Sequence, residues 1–249
     1  MKLRVLTLNI AHGRKNGVHQ ILHRKEKLIS NLDDIVRVLK KHNPQIVALQ
    51  EADAASFWSG NFDHVKYIAQ RSEFKYWVHG KHVENRNLCY GSAILSTFPL
   101  FDSDSHIFKN SIVTMQKGFT IASIIINRQK KEKIDLISLH LDAVSSKIRK
   151  KQAKEIIEKV KDRKNNLMIM GDFNVSWKKN NSAVQLIATQ LGLKLYFPKK
   201  DKTFPTFKKI KRRIDWIMIS KQFSFINHLT LPDNISDHFA VFAEININK

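Results

Sequence analysis

The chain has 249 residues, of which 43% are hydrophobic, so it can bury a large core and is not a disordered polypeptide. Lys and Arg outnumber Asp and Glu by 43 to 22, and the formal charge of +21 predicts attraction to polyanions or anionic surfaces. The single cysteine, Cys89, excludes a disulfide framework and a cysteine-rich zinc site, and no apolar run is long enough to cross a bilayer.

The first ten residues alternate in hydrophobicity like a β-strand and lack the charged start, apolar run and cleavage site of a signal peptide. We therefore expect a cytoplasmic protein. No glycine-, serine- or proline-rich linker divides the chain, so we expect one domain over residues 1–249 and a monomer.

Two helices stand out among many short strands. Apolar residues from Leu28 to Leu39 recur at helical spacing until Asn43-Pro44 ends the helix, and a second helix is predicted from Ser146 to Val160 after an N-cap at Ser145-Ser146. Many strands with few long helices favour two packed sheets with helices outside over one doubly wound sheet. The predicted strands after the first are Ile46 to Leu49, Ser92 to Leu95, Phe119 to Asn127, Ile134 to Leu141, Leu167 to Met170, Ile214 to Ile219 and Phe239 to Ile247.

Polar side chains that can carry chemistry lie at the ends of these apolar runs. A carboxylate or imidazole that ends a core strand is held rigidly while its tip reaches a crevice, which is where α/β folds bind ligands. The candidates are Asn9, Glu51, His140, Asp172 with Asn174, Asp215, and Asp237 with His238.

Glu51 is the first candidate metal ligand, because Mg²⁺ is usually bound through one or two carboxylates beside water and substrate phosphate. A solvated glutamate at a strand end is the alternative interpretation. Asn9, considered alone, is explained equally by turn chemistry.

Asp172 and Asn174 follow the strand that ends at Gly171. If the backbone stays extended, both side chains point the same way, and they supply a carboxylate that can activate water and an amide that can donate to a phosphoryl oxygen. A turn without a function is the alternative.

His238 is the natural general base, since its ordinary pKa lies near neutrality. Asp215 is a carboxylate inside an apolar strand, and pairing with this imidazole would compensate its burial. His140 ends another strand and could donate to a phosphate oxygen, or simply be a core histidine. The other histidines lack the His-x-x-x-His spacing of a zinc enzyme.

Seven short strings in order resemble the endonuclease/exonuclease/phosphatase superfamily, and they span nearly the whole chain. Each string alone is weak, but the family's order and spacing make the set specific. They are Leu8-Asn9-Ile10, Leu49-Gln50-Glu51, Gly91-Ser92-Ala93-Ile94-Leu95-Ser96, Ser138-Leu139-His140, Gly171-Asp172-Phe173-Asn174, Arg213-Ile214-Asp215-Trp216-Ile217 and Ser236-Asp237-His238.

This resemblance implies an α/β, DNase I-like fold, a four-layer sandwich of two mixed β-sheets flanked by helices. It implies that Asn9, Glu51 and Asp237 hold Mg²⁺ or Mn²⁺, and that Asn174 and His140 contact phosphate. Asp172 or His238 would then activate water, and Asp215 would orient the histidine.

Departures from the family pattern limit what the resemblance says about the substrate. Abasic-site endonucleases carry an acidic residue two positions after the first asparagine, where this chain has Ala11, and Thr97 stands where many relatives have arginine. The segment Thr203-Phe204-Pro205-Thr206 resembles a bacterial branch whose substrates are unassigned.

Three classes of function remain: a nuclease, a phosphodiesterase or phosphatase acting on phospholipid head groups or inositol phosphates, and a silent nucleic-acid binder. An intact catalytic set argues against the binder.

Basic clusters at Lys147 to Lys164 and Lys199 to Arg213 flank catalytic segments and would serve DNA, RNA or an anionic membrane. The absence of a long apolar insertion favours the nuclease. Four aromatic residues could stack on bases or belong to the core: Trp58, Phe62, Tyr76 and Trp77.

Overall fold

The computed structural model describes residues 1–15, 25–109, 115–127, 132–177, 182–197, 207 and 212–247. Within these residues, single 3₁₀ turns lie at Ala11–Gly13 and Phe57–Ser59. The helices and strands are β1 (Lys2–Asn9), α1 (Lys25–His42), β2 (Ile46–Asp53), α2 (His64–Arg71), β3 (Tyr76–Glu84), β4 (Cys89–Ser96), β5 (Phe101–Ile107), β6 (Gly118–Asn127), β7 (Glu132–His140), α3 (Ser146–Val160), β8 (Asn166–Asp172), α4 (Ala183–Gln190), β9 (Leu193–Leu195), β10 (Asp215–Ser220), β11 (Phe223–Thr230) and β12 (Val241–Ile247).

The strands form two mixed sheets of six. Sheet A has the order β11-β12-β1-β2-β4-β3, and sheet B the order β5-β6-β7-β8-β10-β9. In each sheet one central pair is parallel, β1 with β2 and β7 with β8, while the other pairs are antiparallel. The carboxyl ends of both parallel pairs lie at one end of the sandwich, where Asn9 of β1 and His140 of β7 approach Asp172 of β8.

Alternation along the strands explains why the sheets stack between helices. In β7, for example, Leu136 packs in the core between the two sheets, whereas Ile137 packs under the helices on the outer face of sheet B. Helices α1 and α2 cover sheet A, and α3 and α4 cover sheet B. The predicted four-layer sandwich is confirmed.

The predicted second helix is confirmed with its bounds, and the Ser145 side chain accepts a hydrogen bond from the amide of Ile148, as expected of an N-cap. The first helix, the first strand and the seven later strands also lie where the sequence places them. Four strands, β3, β5, β9 and β11, and two short helices, α2 and α4, were not predicted. None of the helices among the described residues is long and apolar enough to span a membrane.

A buried layer of polar side chains joins the two sheets close to the strand ends. The Gln50 amide donates to the Ser138 hydroxyl at 3.0 Å, and that hydroxyl donates to the carbonyl of Leu49 at 3.0 Å. Ser92 lies within 2.9 Å of both the Thr120 hydroxyl and the Ser138 carbonyl oxygen. Because buried polar groups are costly without partners, these bonds fix how sheet A sits on sheet B beside the candidate site.

Candidate active site

The predicted chemical residues meet where the parallel strands end. Asn9 ends β1, His140 ends β7, and Asp172 ends β8 in register with both His140 and Asp215. Glu51 lies near the end of β2 at an irregularity in its pairing with β4, with a backbone φ of 49°. The two sheets thus bring side chains from five strands, β1, β2, β7, β8 and β10, to one edge of the sandwich.

Asp172 is the centre of the hydrogen-bond network. Its Oδ2 accepts a bond from the Asn9 amide at 3.1 Å, and its Oδ1 accepts one from the backbone amide of Asn174 at 2.9 Å. Burial, and next the neighbouring Asp215 carboxylate, raises the pKa of Asp172 to about 7. A carboxylate with such a pKa can take up a proton near neutral pH.

His238 and Asp215 form the predicted pair. The His238 Nδ1 lies 2.9 Å from Asp215 Oδ2, and its Nε2 lies 3.8 Å from Asp172 Oδ2. Burial by itself lowers the pKa of His238, but the Asp215 and Asp172 carboxylates outweigh it and raise the pKa to about 10. The imidazole is therefore held in its charged form between two acids.

Glu51 lies among cationic and imidazole groups without touching them closely. Its carboxylate oxygens are 3.6 Å from His12 Nε2, 3.6 Å from Lys117 Nζ, 3.8 Å from Arg14 and 3.9 Å from His140 Nε2. All four distances exceed a hydrogen bond. Burial alone raises the pKa of Glu51, yet Lys117 and the other three groups outweigh it and hold the pKa well below its usual range. Glu51 is thus an ionised carboxylate at neutral pH.

His140 connects Glu51 to Asp172. Lys117 Nζ donates to its Nδ1 at 3.2 Å, and its Nε2 lies 3.5 Å from Asp172 Oδ2. Burial, and next the charge of Lys117, lowers the pKa of His140 well below its ordinary value. A neutral ring that accepts at Nδ1 carries its proton on Nε2, so His140 is a donor directed at the centre of the site.

Asn174 does not have the extended backbone that the sequence suggested, and Asp237 lies in the loop before β12. The backbone is not extended through Asn174, whose φ is 52°, and its amide donates to the Leu141 carbonyl at 2.9 Å. Its side chain and that of Asp172 therefore do not extend in parallel. Asp237 is half-buried, and its Oδ1 lies 3.4 Å from the Ser236 hydroxyl oxygen. That hydroxyl also donates to the Asn9 carbonyl, which ties this loop to the end of β1.

Three residues near Glu51 were missed by the sequence analysis: His12, Arg14 and Lys117. His12 and Arg14 lie just after the predicted Asn9, so closeness to that residue was a usable signal. Lys117 lies just before β6, and nothing in the sequence indicated that it belongs to the site. Asp142, two residues beyond His140, accepts bonds from the amides of Val144 and Ser145 in the turn before α3.

The oxygen donors fit a hard divalent cation. Glu51 supplies an ionised, partly exposed carboxylate, and Asn9, whose amide nitrogen donates to Asp172, supplies an amide oxygen that accepts from the Ala11 amide and keeps a second lone pair. Asp172, Asp215 and His238 also place one potential ligand atom each within 4.8 Å of one another. In that second group the positively charged His238 ring would repel a metal cation. The position beside Glu51 is therefore the better metal site.

A basic groove lies beside the site, between α3 and the end of β5. It has a volume of about 690 Å³ and is lined by Lys109, Lys151, Lys154 and Glu155. Lys109 follows Phe108, whose amide donates to the carbonyl of Lys117 at 3.0 Å, and the Nζ of Lys117 lies 3.6 Å from Glu51. Lys151 and Lys154 belong to the first predicted basic cluster; the second, Lys199 to Arg213, lies mostly outside the described residues, as does Thr203-Phe204-Pro205-Thr206.

The fold and the network of acids and imidazoles define a phosphoester hydrolase. The model of the Endonuclease/Exonuclease/phosphatase family matches residues 6–238, and the chain belongs to this family. A comparison with curated proteins finds no significant match.

Solved structures with the same fold cover the whole chain at low sequence identity. An endonuclease/exonuclease/phosphatase from Bacteroides vulgatus has a TM-score of 0.76 at 16% identity and covers 100% of both chains. A family protein from Bacteroides thetaiotaomicron has a TM-score of 0.76 at 16% identity, covering 98% of this chain and 97% of that one. A mannosyl-6-phosphatase from the same organism has a TM-score of 0.71 at 15% identity, covering 98% and 99%.

Proposed function

We propose that the chain is a Mg²⁺- or Mn²⁺-dependent phosphodiester hydrolase that cleaves nucleic acid, DNA before RNA, by in-line attack of water on phosphorus. The observation that carries the proposal is the cluster of Asn9, Asp172, His140 and Glu51, in which a hydrogen bond and ion-pair contacts of 3.5 to 3.9 Å join neighbouring side chains. The His238–Asp215 pair lies beside this cluster, and a lysine-lined groove lies nearby.

Asp172 is the residue that takes the proton from the attacking water. Asn9 and the amide of Asn174 hold its two oxygens in place, and its pKa of about 7 lets it act as a base near neutral pH. His238 is already protonated because of Asp215, so it donates to the phosphoryl group instead of accepting a proton from water.

His140 and Lys117 complete the donors around the phosphate. The neutral His140 ring presents its Nε2 proton between Glu51 and Asp172, and Lys117 adds a positive charge on the same side. Both stabilise negative charge that develops on the phosphoryl oxygens. Glu51 and Asn9, with Asp237 as the resemblance implies, would hold the metal ion, which when bound supplies Lewis-acid stabilisation of that charge.

The groove favours a polymeric anion as substrate. Three lysines line it, Lys109 just after β5 and Lys151 and Lys154 on α3, and successive phosphates of a strand could bind to them. Trp58, half-buried next to the His12 ring, is placed where a base could stack beside the site. A phospholipid or a small phosphomonoester does not need such a groove.

The proposal is tested with purified protein and Mg²⁺ or Mn²⁺ against plasmid DNA, single-stranded RNA, sphingomyelin vesicles, inositol phosphates and mannose 6-phosphate. We expect cleavage of DNA. The variants His238→Ala and Asp172→Asn should lower kcat by about two to four orders of magnitude, because the first removes the charged donor to the phosphoryl group and the second removes the base.

His42→Ala is the matched control, since this histidine ends α1 and packs against Phe242 on sheet A, away from the groove. It should turn over DNA at the wild-type rate. Intact DNA and RNA together with hydrolysis of a phospholipid, inositol phosphate or sugar phosphate would refute the nuclease assignment. Near-normal turnover by both active-site variants would refute the roles given to Asp172 and His238.

A further inference from the structure

We propose that His12 is a direct ligand of the divalent metal ion at Glu51 and that the buried Asp53 is the positioning residue that holds its ring. The inference rests on the metal-dependent hydrolase proposed above. It adds a nitrogen donor to a site for which the sequence indicated oxygen donors alone.

The first observation is the contact between His12 and Asp53. Asp53 is fully buried, and its Oδ2 lies 2.8 Å from His12 Nδ1 while its Oδ1 accepts a bond from the Trp58 indole at 3.0 Å. A carboxylate at Nδ1 places the proton there and leaves the lone pair on Nε2. Histidines that bind metals in proteins usually have such a partner on their other nitrogen.

The second observation is what His12 Nε2 faces. It lies 3.6 Å from Glu51 Oε2, so the ring nitrogen that does not contact Asp53 and an ionised carboxylate oxygen are direct neighbours. Two ligand atoms bound to one ion at about 2.1 Å lie roughly 3.0 to 3.4 Å apart. A shift of a few tenths of an ångström brings both atoms to one cation.

The third observation is the backbone that aims the ring. Ala11 and His12 adopt left-handed φ values of 48° and 55°, followed by Gly13 at 74°. Asn9 Oδ1 accepts a bond from the Ala11 amide at 3.0 Å, and Asn31 donates to the Gly13 carbonyl at 2.8 Å. Unfavourable backbone conformations that are held in this way cluster at functional sites.

The ring is also fixed by aromatic contacts. Trp58 and Tyr90 meet it edge-on, with ring centroids 5.4 and 4.9 Å away. A metal ligand needs this kind of locked orientation. Because imidazole suits transition metals better than Mg²⁺, the site should prefer Mn²⁺.

The experiment measures metal binding to the full chain without substrate. Pulsed EPR on the Mn²⁺ complex detects ¹⁴N coupling from a bound imidazole, and calorimetry gives affinities for Mn²⁺ and Mg²⁺. His12→Asn is the informative variant, since an asparagine amide can keep the contact with Asp53 while the Nε2 donor is lost. His106→Asn is the control, a histidine paired with a carboxylate elsewhere.

We expect ¹⁴N coupling in the wild type and in His106→Asn, and its loss in His12→Asn. The Mn²⁺ affinity of His12→Asn should fall at least about tenfold, and the Mg²⁺ affinity by less. Should His12→Asn fail to fold, His12→Gln replaces it, and the same losses of coupling and Mn²⁺ affinity are expected.

A wild-type complex without ¹⁴N coupling overturns the proposal. So does a folded His12 variant that keeps the coupling or binds Mn²⁺ as tightly as the wild type, the result expected if a protonated His12 merely forms an ion pair with Glu51. Metal binding needs no substrate, so these outcomes are independent of whether DNA is cleaved.

Discussion

Gly171 places the Asp172 carboxylate by letting β8 approach its parallel neighbour closely. Its φ is +147°, and a Cβ atom built on it would lie 2.1 Å from the carbonyl oxygen of Leu139. Because that atom belongs to the backbone of β7, a side chain at this position forces the strands apart. We expect Gly171→Ala to lower the free energy of unfolding by at least about 3 kcal/mol, measured by urea denaturation.

Gly192→Ala is the comparison that isolates the close approach. Gly192 also has a positive φ, 61°, but its nearest neighbours are atoms of the flexible Lys221 side chain. Only the backbone penalty remains there, about 1 kcal/mol. Equal costs for the two alanines would show that the approach to Leu139 is not what requires glycine at position 171.

At the scale of residues, the sequence predicted those site members that end apolar strands. Asp172, His140 and Asn9 each follow a recognisable run, so the strand pattern alone locates them. The strand pattern does not locate His12 and Lys117, because neither residue ends an apolar strand. His12 reaches Glu51 through left-handed residues whose conformation no hydrophobic period reveals, and Lys117 comes from the residue before a strand.

At the scale of elements, His228 on β11 links the two sheets at one edge. Its ring stacks on Tyr196 with centroids 4.8 Å apart, and Arg213 donates to its Nε2 at 3.2 Å. Burial, and next the charge of Arg213, lowers the pKa of His228 to about 3. This histidine is therefore neutral in the folded protein and protonated below about pH 6.5 in the unfolded chain.

The sign of the pH dependence follows from that difference. Between about pH 3 and 6.5 the unfolded state binds a proton that the folded state does not, so stability falls as the pH decreases. From pH 7 to pH 5, His228 should account for a loss of about 2 kcal/mol. His228→Gln, which can still accept from Arg213 but does not titrate, should lack this part of the loss.

Urea unfolding at a series of pH values measures the effect. His106→Gln serves as the control, because this ring is partly exposed and contacts Glu155 at the surface. Parallel stability curves for the wild type and His228→Gln between pH 7 and 5 would contradict the prediction. So would a His106→Gln curve that flattens to the same extent.

The four strands that the sequence did not predict share a physical reason, since each lies at an edge of its sheet. β5 runs Phe101–Ile107 with four consecutive exposed residues at the edge of sheet B, and β9 has only three residues. Edge strands need little apolar pattern because one side of the ladder is free, and they commonly carry charges. Central strands such as β2 and β8 are buried on both faces and were recognised by their apolar runs.

At the scale of the whole molecule, the charge of +21 acts over longer distances than any single contact. The helices on the two outer faces of the sandwich carry their lysines to different parts of the surface. α3 on sheet B carries Lys151 and Lys154 into the groove beside the site, whereas α1 on sheet A carries its exposed lysines on the opposite face. The sequence indicated the basic cluster but not its position, because only the fold brings α3 next to the end of β5.

Two double variants with the same net charge can test whether the position of the lysines affects DNA binding. Lys151→Gln/Lys154→Gln and Lys27→Gln/Lys41→Gln each remove two charges, the first pair from the groove and the second from α1. If a DNA strand lies in the groove, the first pair removes phosphate contacts. The slope of log affinity against log salt concentration should then become less steep by up to about 2, since each contact contributes about 0.9.

Fluorescence anisotropy with a labelled DNA duplex, between 50 and 200 mM salt and in EDTA to prevent cleavage, gives both slopes. The α1 pair should keep the wild-type slope, because those lysines contact no phosphate. Identical slopes for the two double variants would mean that the overall positive field, and not the groove, holds the DNA. Groove-specific loss of affinity together with unchanged kcat at saturating DNA would separate binding along α3 from the chemistry at Asp172 and His238.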